Sequence, residues 1–159
     1  MFEEKTKIGD SFKMSGIKKA EEGLKICGKV RLIGHNKDGS LAFDREIPNL
    51  ITNAGFDWIS DVMGLNAQPS DITHMAIGNG AVGGAGATTL TSETDRQLAT
   101  YAHTPGTKTL TLTATFATVV AATEYGCVNS ASNGTLVNTA GFTAITVDSL
   151  QIVATFTLS

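Results

Sequence analysis

Charge is scarce in this sequence. Of 159 residues, 12 are Lys or Arg and 15 are Asp or Glu, a charged share of 17% against about 25% in an ordinary domain. The net charge is −3, so no basic field draws in nucleic acid. The two cysteines, Cys27 and Cys127, are expected to be free thiols of a reducing cytosol, pairing only if the fold brings them close. No apolar run approaches the roughly 18 residues of a membrane span, and "MFEEKTKIGD" carries charge where a leader would be apolar. Beyond phenylalanine the aromatic residues are only Trp58, Tyr101 and Tyr125, few rings for stacking on sugars. His35, His74 and His103 have no His or Cys at metal-ligand spacing. Eight of the 15 carboxylates lie in the first 50 residues, and Glu93, Asp95 and Glu124 remain as isolated acids in the β-rich zone further on. No G-x-S-x-G occurs and no Ser/His/Asp arrangement stands out. The expectation is a protein that is not an enzyme, with no metal, no cofactor, no nucleic acid and no membrane among its partners.

What is present is glycine and threonine. "MAIGNGAVGG" contains G-x-G-x-x-G at Gly78, Gly80 and Gly83. A dinucleotide site would need a helix directly after these glycines to hold the pyrophosphate. The chain continues instead as "GAGATTLTSETD", whose Gly and Thr residues are poor helix formers. Asp95 sits in what reads as a polar turn, not at the end of a second buried strand. The stretch is therefore expected to be a surface loop, its glycines allowing φ > 0 and close backbone approach, with a symmetry mate as one thing to approach.

Three zones follow one another. Residues 1–25 mix Lys and Glu with scattered Phe2, Ile8, Phe12, Met14, Ile17 and Leu24; they are expected to be an arm that contributes little to the fold of 26–159 and much to contacts with a partner. "KICGKVRLIGHN" alternates, "NKDGS" is a turn and "LAFDREI" returns, a β-hairpin ended by Pro48. "TNAGFDWISDVMG" predicts a helix over about 53–63, with Thr52 or Asn53 as its cap and Phe56, Ile59, Val62 and Met63 on the buried face. In the rest, "ITHMAIG", "KTLTLTATFATVV", "EYGCVNS", "TLVNTAGF" and "DSLQIVATFTLS" read as separate strands, divided by turns that include "SASNG" and "VDS". Leu112, Phe116, Leu150, Ile152 and Phe156 are the expected shared core. The fold class is mainly β: an antiparallel β-sandwich or jelly-roll-like domain over 26–159, with one short helix and an extended N-terminal arm. Arg96 follows Glu93 by three residues; the pair is expected to lie on the surface, to pin the glycine loop, or to reach a neighbouring subunit.

The order "NLITNAG" at Asn49–Gly55, "AIGNG" at Ala76–Gly80, "LTSETDR" at Leu90–Arg96, "EYG" at Glu124–Gly126 and a closing strand at Leu150–Ser159 resembles small β-rich structural proteins of tailed bacteriophages. The resemblance covers about residues 45–159. It implies a virion protein, assembled in the host cytoplasm, whose partners are the major capsid protein or tail components and further copies of itself. A head-decorating or cementing role is favoured over a tail- or fibre-associated or receptor- or carbohydrate-binding one, because one small domain with an arm suits clamping, and no heptad run or repeat supplies a shaft. The candidate contact residues are Phe2, Ile8, Phe12, Gly78, Gly80, Gly83, Glu93 and Arg96.

Overall fold

The structure is a computed structural model that describes residues 23–64 and 69–159. The candidate contacts Phe2, Ile8 and Phe12 lie outside the described residues, as does most of the arm. The elements run β1 (Ile26–His35), β2 (Leu41–Pro48), β3 (Leu50–Ile51), α1 (Asn53–Gly64), β4 (His74–Gly78), β5 (Glu93–Leu98), β6 (Thr100–His103), β7 (Thr109–Val128) and β8 (Leu136–Leu158). The domain is mainly β with one helix, and all pairings are antiparallel in one hydrogen-bonded sheet of eight strands, ordered β2-β1-β8-β7-β4-β5, with β3 added on β8 and β6 on β7.

Two long strands form the spine. β7 has 20 residues and β8 has 23, joined by the tight connection Asn129–Thr135. "SASNG" turns the chain as its composition requires, with Asn133 and Gly134 both at positive φ in the region that Asn and Gly tolerate. "VDS" does not turn it: β8 runs straight through, pairing Val147 with Val119 and Ser149 with Ala117. The four strands expected from this stretch are therefore two. The direction changes by bulging: the β7 register slips between Val119 and Ala122, and Thr118 and Ala121 sit at φ 53 and 50. A bulge adds residues to one strand and bends it without ending it, so a local composition search for turn residues misses the corner.

The bulged region separates the pairings of the sheet into two groups, called its halves. Beyond it on one side lie β2, β1, the C-terminal part of β8, the N-terminal part of β7 and β6; on the other lie β3, the rest of β8 and β7, β4 and β5. The chain also crosses between halves at Asn49, between β2 and β3, and at Ala99, between β5 and β6. A single apolar cluster takes Val30, Leu32, Phe116, Leu150 and Ile152 from the first half and Met75, Ile77, Tyr125 and Ala140 from the second. The alternation in "LTLTATF" works as expected: Leu112, Ala114 and Phe116 are buried, while Thr109 and Thr115 are exposed. Each large side chain so buried contributes about 1.5–3 kcal/mol.

β5 lies where a polar turn was expected, with Asp95 paired to Ile77 inside it, and β6 lies in a stretch for which no strand was expected. β5 is an edge strand reading "ETDRQL", and edges carry charge to discourage further pairing, which erases the apolar alternation that marks a strand.

Thr52 caps α1: its Oγ1 accepts from the Gly55 N–H at 2.9 Å and donates to the Leu136 carbonyl at 2.5 Å. The helix sits on β8 through Gly55, which is buried against the Val137 carbonyl. That contact rotates the helix away from the expected stripe. Ile59 packs on the core, but Phe56 is 49% and Met63 72% exposed, and the half-buried Trp58 takes an inward place, its indole N–H donating to the Ser70 carbonyl at 2.9 Å. A hydrophobic stripe ranks large residues; here the smallest one, Gly55, sets the contact face.

Candidate functional site

Three of the motifs that carry the resemblance, "AIGNG", "LTSETDR" and "EYG", meet in the second half. Ala76 of β4, Val128 of β7 and Leu136 of β8 form a small apolar patch there, distinct from the main core, and Leu90 covers it. Leu90 belongs to the connection Asn79–Ser92, a strap that leaves β4, crosses the sheet face and returns into β5. Its ends are tied together: the Asn79 N–H donates to the Ser92 carbonyl at 3.0 Å, and the Ser92 hydroxyl to Asn79 Oδ1 at 2.7 Å. Thr91 Oγ1 donates to the Ala81 carbonyl and Thr123 Oγ1 to the Gly80 carbonyl, both at 2.6 Å. At the strap's far side, the Ala85 carbonyl accepts from the Asn53 N–H at 2.7 Å, at the first residue of α1. A compact loop with closed ends and its own packing is an Ω-loop.

Glu124 locks it. The side chain is fully buried on β7, where it pairs across to Gly78 of β4 and Gly141 of β8. Its Oε1 accepts from the Ser92 N–H at 2.8 Å and its Oε2 from the Thr91 N–H at 3.0 Å. Backbone donors on a carboxylate are charge-assisted hydrogen bonds, about twice as strong as neutral ones. Space for the carboxylate comes from the glycines. A Cβ on Gly78 would run into the Ser92 carbonyl and Glu124 Oε1, and one on Gly80 would stand 2.8 Å from the same oxygen. The positive-φ glycines among the described residues are Gly39, Gly106 and Gly134, so Gly78, Gly80 and Gly83 serve close approach alone. That approach is internal: Gly78 is buried and Gly80 and Gly83 are half-buried, and what they approach is Glu124, Thr91 and Ala87 of the same chain. Their packing role within the chain stands beside the expected contact with a symmetry mate, which remains an expectation.

Arg96 and Glu93 form a second clamp beside the first. The guanidinium donates to both Glu93 oxygens at 2.7 and 2.6 Å, and its remaining nitrogen to the Ser130 and Asn133 carbonyls at 2.8 Å each. It pins the β7–β8 turn to β5, not the glycine strap that the sequence offered. With 14% of its side chain exposed, it is more than a loose surface pair. A cleft of about 290 Å³ lies beside it, bordered by Thr88, Thr89 and Gly134.

A buried polar network crosses the main core. Asn138 Oδ1 accepts from the Cys127 N–H at 3.0 Å and its amide donates to the Tyr125 hydroxyl at 3.1 Å, which lies 3.0 Å from Cys127 Sγ. Burial pushes the Cys127 thiol up to about 12 and the Tyr125 phenol well above its ordinary range. Such a thiol is not a nucleophile at neutral pH. Cys27 is exposed and Cys127 buried, and both are free. His74 Nδ1 lies 2.8 Å from Thr73 Oγ1 and His103 Nδ1 lies 2.7 Å from the Thr109 carbonyl. Among the described residues no three His, Cys, Asp or Glu side chains come together as a metal site, and no helix is long and apolar enough to cross a membrane.

"NLITNAG" is likewise a packing motif: the Asn49 side chain fills the space over Gly28, Thr52 caps the helix and Gly55 seats it. Glu124 is the residue that sequence reasoning passed over as an isolated acid. Its signal was present, an acid two residues before a glycine in an apolar strand, but its partners are backbone N–H groups, which every residue has. Comparison with family models, with curated proteins and with solved structures finds no match for this chain.

Proposed function

We propose that the chain is a non-enzymatic structural component of a tailed-phage virion, a head-decorating or cementing protein that works through subunit contacts. The observation that carries the assembly role is the outward face of α1. Phe56 and Met63, seven residues apart, share a face of the helix, and both are exposed at 49% and 72%. An apolar face left in water marks a contact surface, and a chain with 17% charged residues has few charges to desolvate in making one. The attribution to a virion comes from the motif order, whose residues here hold the strap, the β7–β8 turn and the helix in place. A tail-associated position is the alternative. A glycan-binding role has less behind it, since Tyr125 is buried in the core and Trp58 is half-buried, which leaves Tyr101 as the one well-exposed ring among these three. Gold-labelled antibody to the full chain, applied to intact tailed particles, tests the proposal: label over the head supports decoration, label on the tail supports the alternative, and unlabelled particles refute both.

A further inference from the structure

A cavity of about 610 Å³ forms an apolar groove at the end of the domain where the chain enters. Its walls include Ile26, Trp58, Leu98, Tyr101, Leu110 and Leu158, and Asp71 is its only charged lining residue. Leu98 is 72% and Tyr101 60% exposed at the rim. This size and lining suit an occupant that buries several apolar groups, and among the described residues nothing fills the groove.

The position of the chain's entry points to the occupant. Lys25 is the last residue before β1, held by paired hydrogen bonds with Ser159 at 2.7 and 2.9 Å. Ile26 and its cross-strand partner Leu158 already form the groove wall. The preceding residues thus start at the rim, at an exposed Gly23 with nothing near the place of a Cβ. Upstream, "FKMSGIKK" sets Phe12, Met14 and Ile17 among Lys13, Lys18 and Lys19, apolar groups for an apolar groove and cations for Asp71. Ile17 precedes Gly23 by 6 residues, a reach of about 20 Å when extended. A tether this short holds the segment at an effective concentration on the order of millimolar, which a second copy's arm would have to match.

We infer that the groove is the seat of the chain's own N-terminal segment, with Phe12, Met14 and Ile17 folded back at Gly23 onto Trp58 and its neighbours. The inference is independent of any place in a virion. It gives the arm a seat on its own domain, where composition alone suggested only a partner.

Trp58 is the sole tryptophan and reports the occupancy directly. In the full chain, F12D/I17D should move Trp58 emission to longer wavelength and raise acrylamide quenching about twofold, because the ring loses its apolar cover. F12L/I17L should keep the emission of the unaltered protein. The rim variant Leu98→Asp, at a position already exposed, should reproduce the shift with the far-UV circular dichroism unchanged, so the result does not depend on one variant folding. The emission of the unaltered chain should not change on dilution. Identical emission in all variants would leave the groove to some other apolar ligand and overturn the inference. A red shift of the unaltered chain on dilution would assign the groove to a second copy's arm, and overturn it too.

Discussion

At the scale of single residues, the most informative side chain is an acid inside a β-domain. Among the described residues no cation pairs with Glu124; two backbone N–H groups hold it. Glu124→Ala would leave the Thr91 and Ser92 donors without their acceptor, at about 1–3 kcal/mol for each unsatisfied buried group. A loss of about 2–4 kcal/mol in urea unfolding is expected, with Glu124→Gln intermediate because it keeps one acceptor. A change below about 0.5 kcal/mol would mean that the strap does not depend on it. Cys127 gives a second test. Its thiol stays protonated in the folded protein up to about pH 12, against an ordinary value of 9.0. Tyr125 is shifted in the same direction. A group whose pKa is raised by folding has its full stability below the unfolded value, because above it the unfolded chain releases a proton that the folded chain keeps. Stability should therefore be level to about pH 9 and fall from there towards pH 12, and Cys127→Ala should flatten part of that fall. A thiol reagent at neutral pH should titrate Cys27 alone in the native protein and both thiols in denaturant. Two reactive thiols in the native protein would contradict the burial. Core identity at this scale was legible in the sequence, since period-two alternation placed Leu112, Phe116, Leu150, Ile152 and Phe156 correctly. Glu124 was not, because its partners are main-chain atoms.

Among the elements, strands with one wet and one dry face could be read and most of the rest could not. β1 and the outer stretches of β7 and β8 follow their alternation, whereas β4 is buried on both faces and was legible as a short apolar run. β5 and β6 are short, polar edge strands without it. The joining of four expected strands into β7 and β8 depends on a bulge at Thr118–Ala121 that no turn residue marks. The helix shows how a large-residue stripe misleads. Its span and its Thr52 cap were legible, its facing was not, because Gly55 decides it by contact with the Val137 carbonyl. Gly→Ala inside a helix ordinarily gains about 0.5–1 kcal/mol. Gly55→Ala should instead cost about 1–3 kcal/mol, the range for forced overpacking, as the helix is pushed off β8. A thermal melt with a raised midpoint for Gly55→Ala would show that the helix does not seat there.

Taken whole, the described domain is built around one main apolar cluster. Both halves of the sheet feed the same apolar cluster, so damage to one should be felt in the other. Phe116→Ala removes a fully buried ring from the first half and should cost about 3–5 kcal/mol. Trp58 fluorescence and far-UV circular dichroism should then report a single lowered midpoint; two separate transitions would mean that the halves fold apart. Among the described residues nothing covers the Phe56–Met63 face of α1, and few charges would have to be desolvated to bury it, which is the physical ground for the proposed assembly role. Quantitative mass spectrometry of purified tailed particles addresses that assignment most directly. The chain should be present at a fixed ratio to the major capsid protein from one preparation to the next, and the ratio should drop when Phe56 and Met63 are both replaced by Ser in an otherwise folded chain. Particles that lack the chain, while it remains in the soluble fraction of the lysate, would show that it is not a virion component.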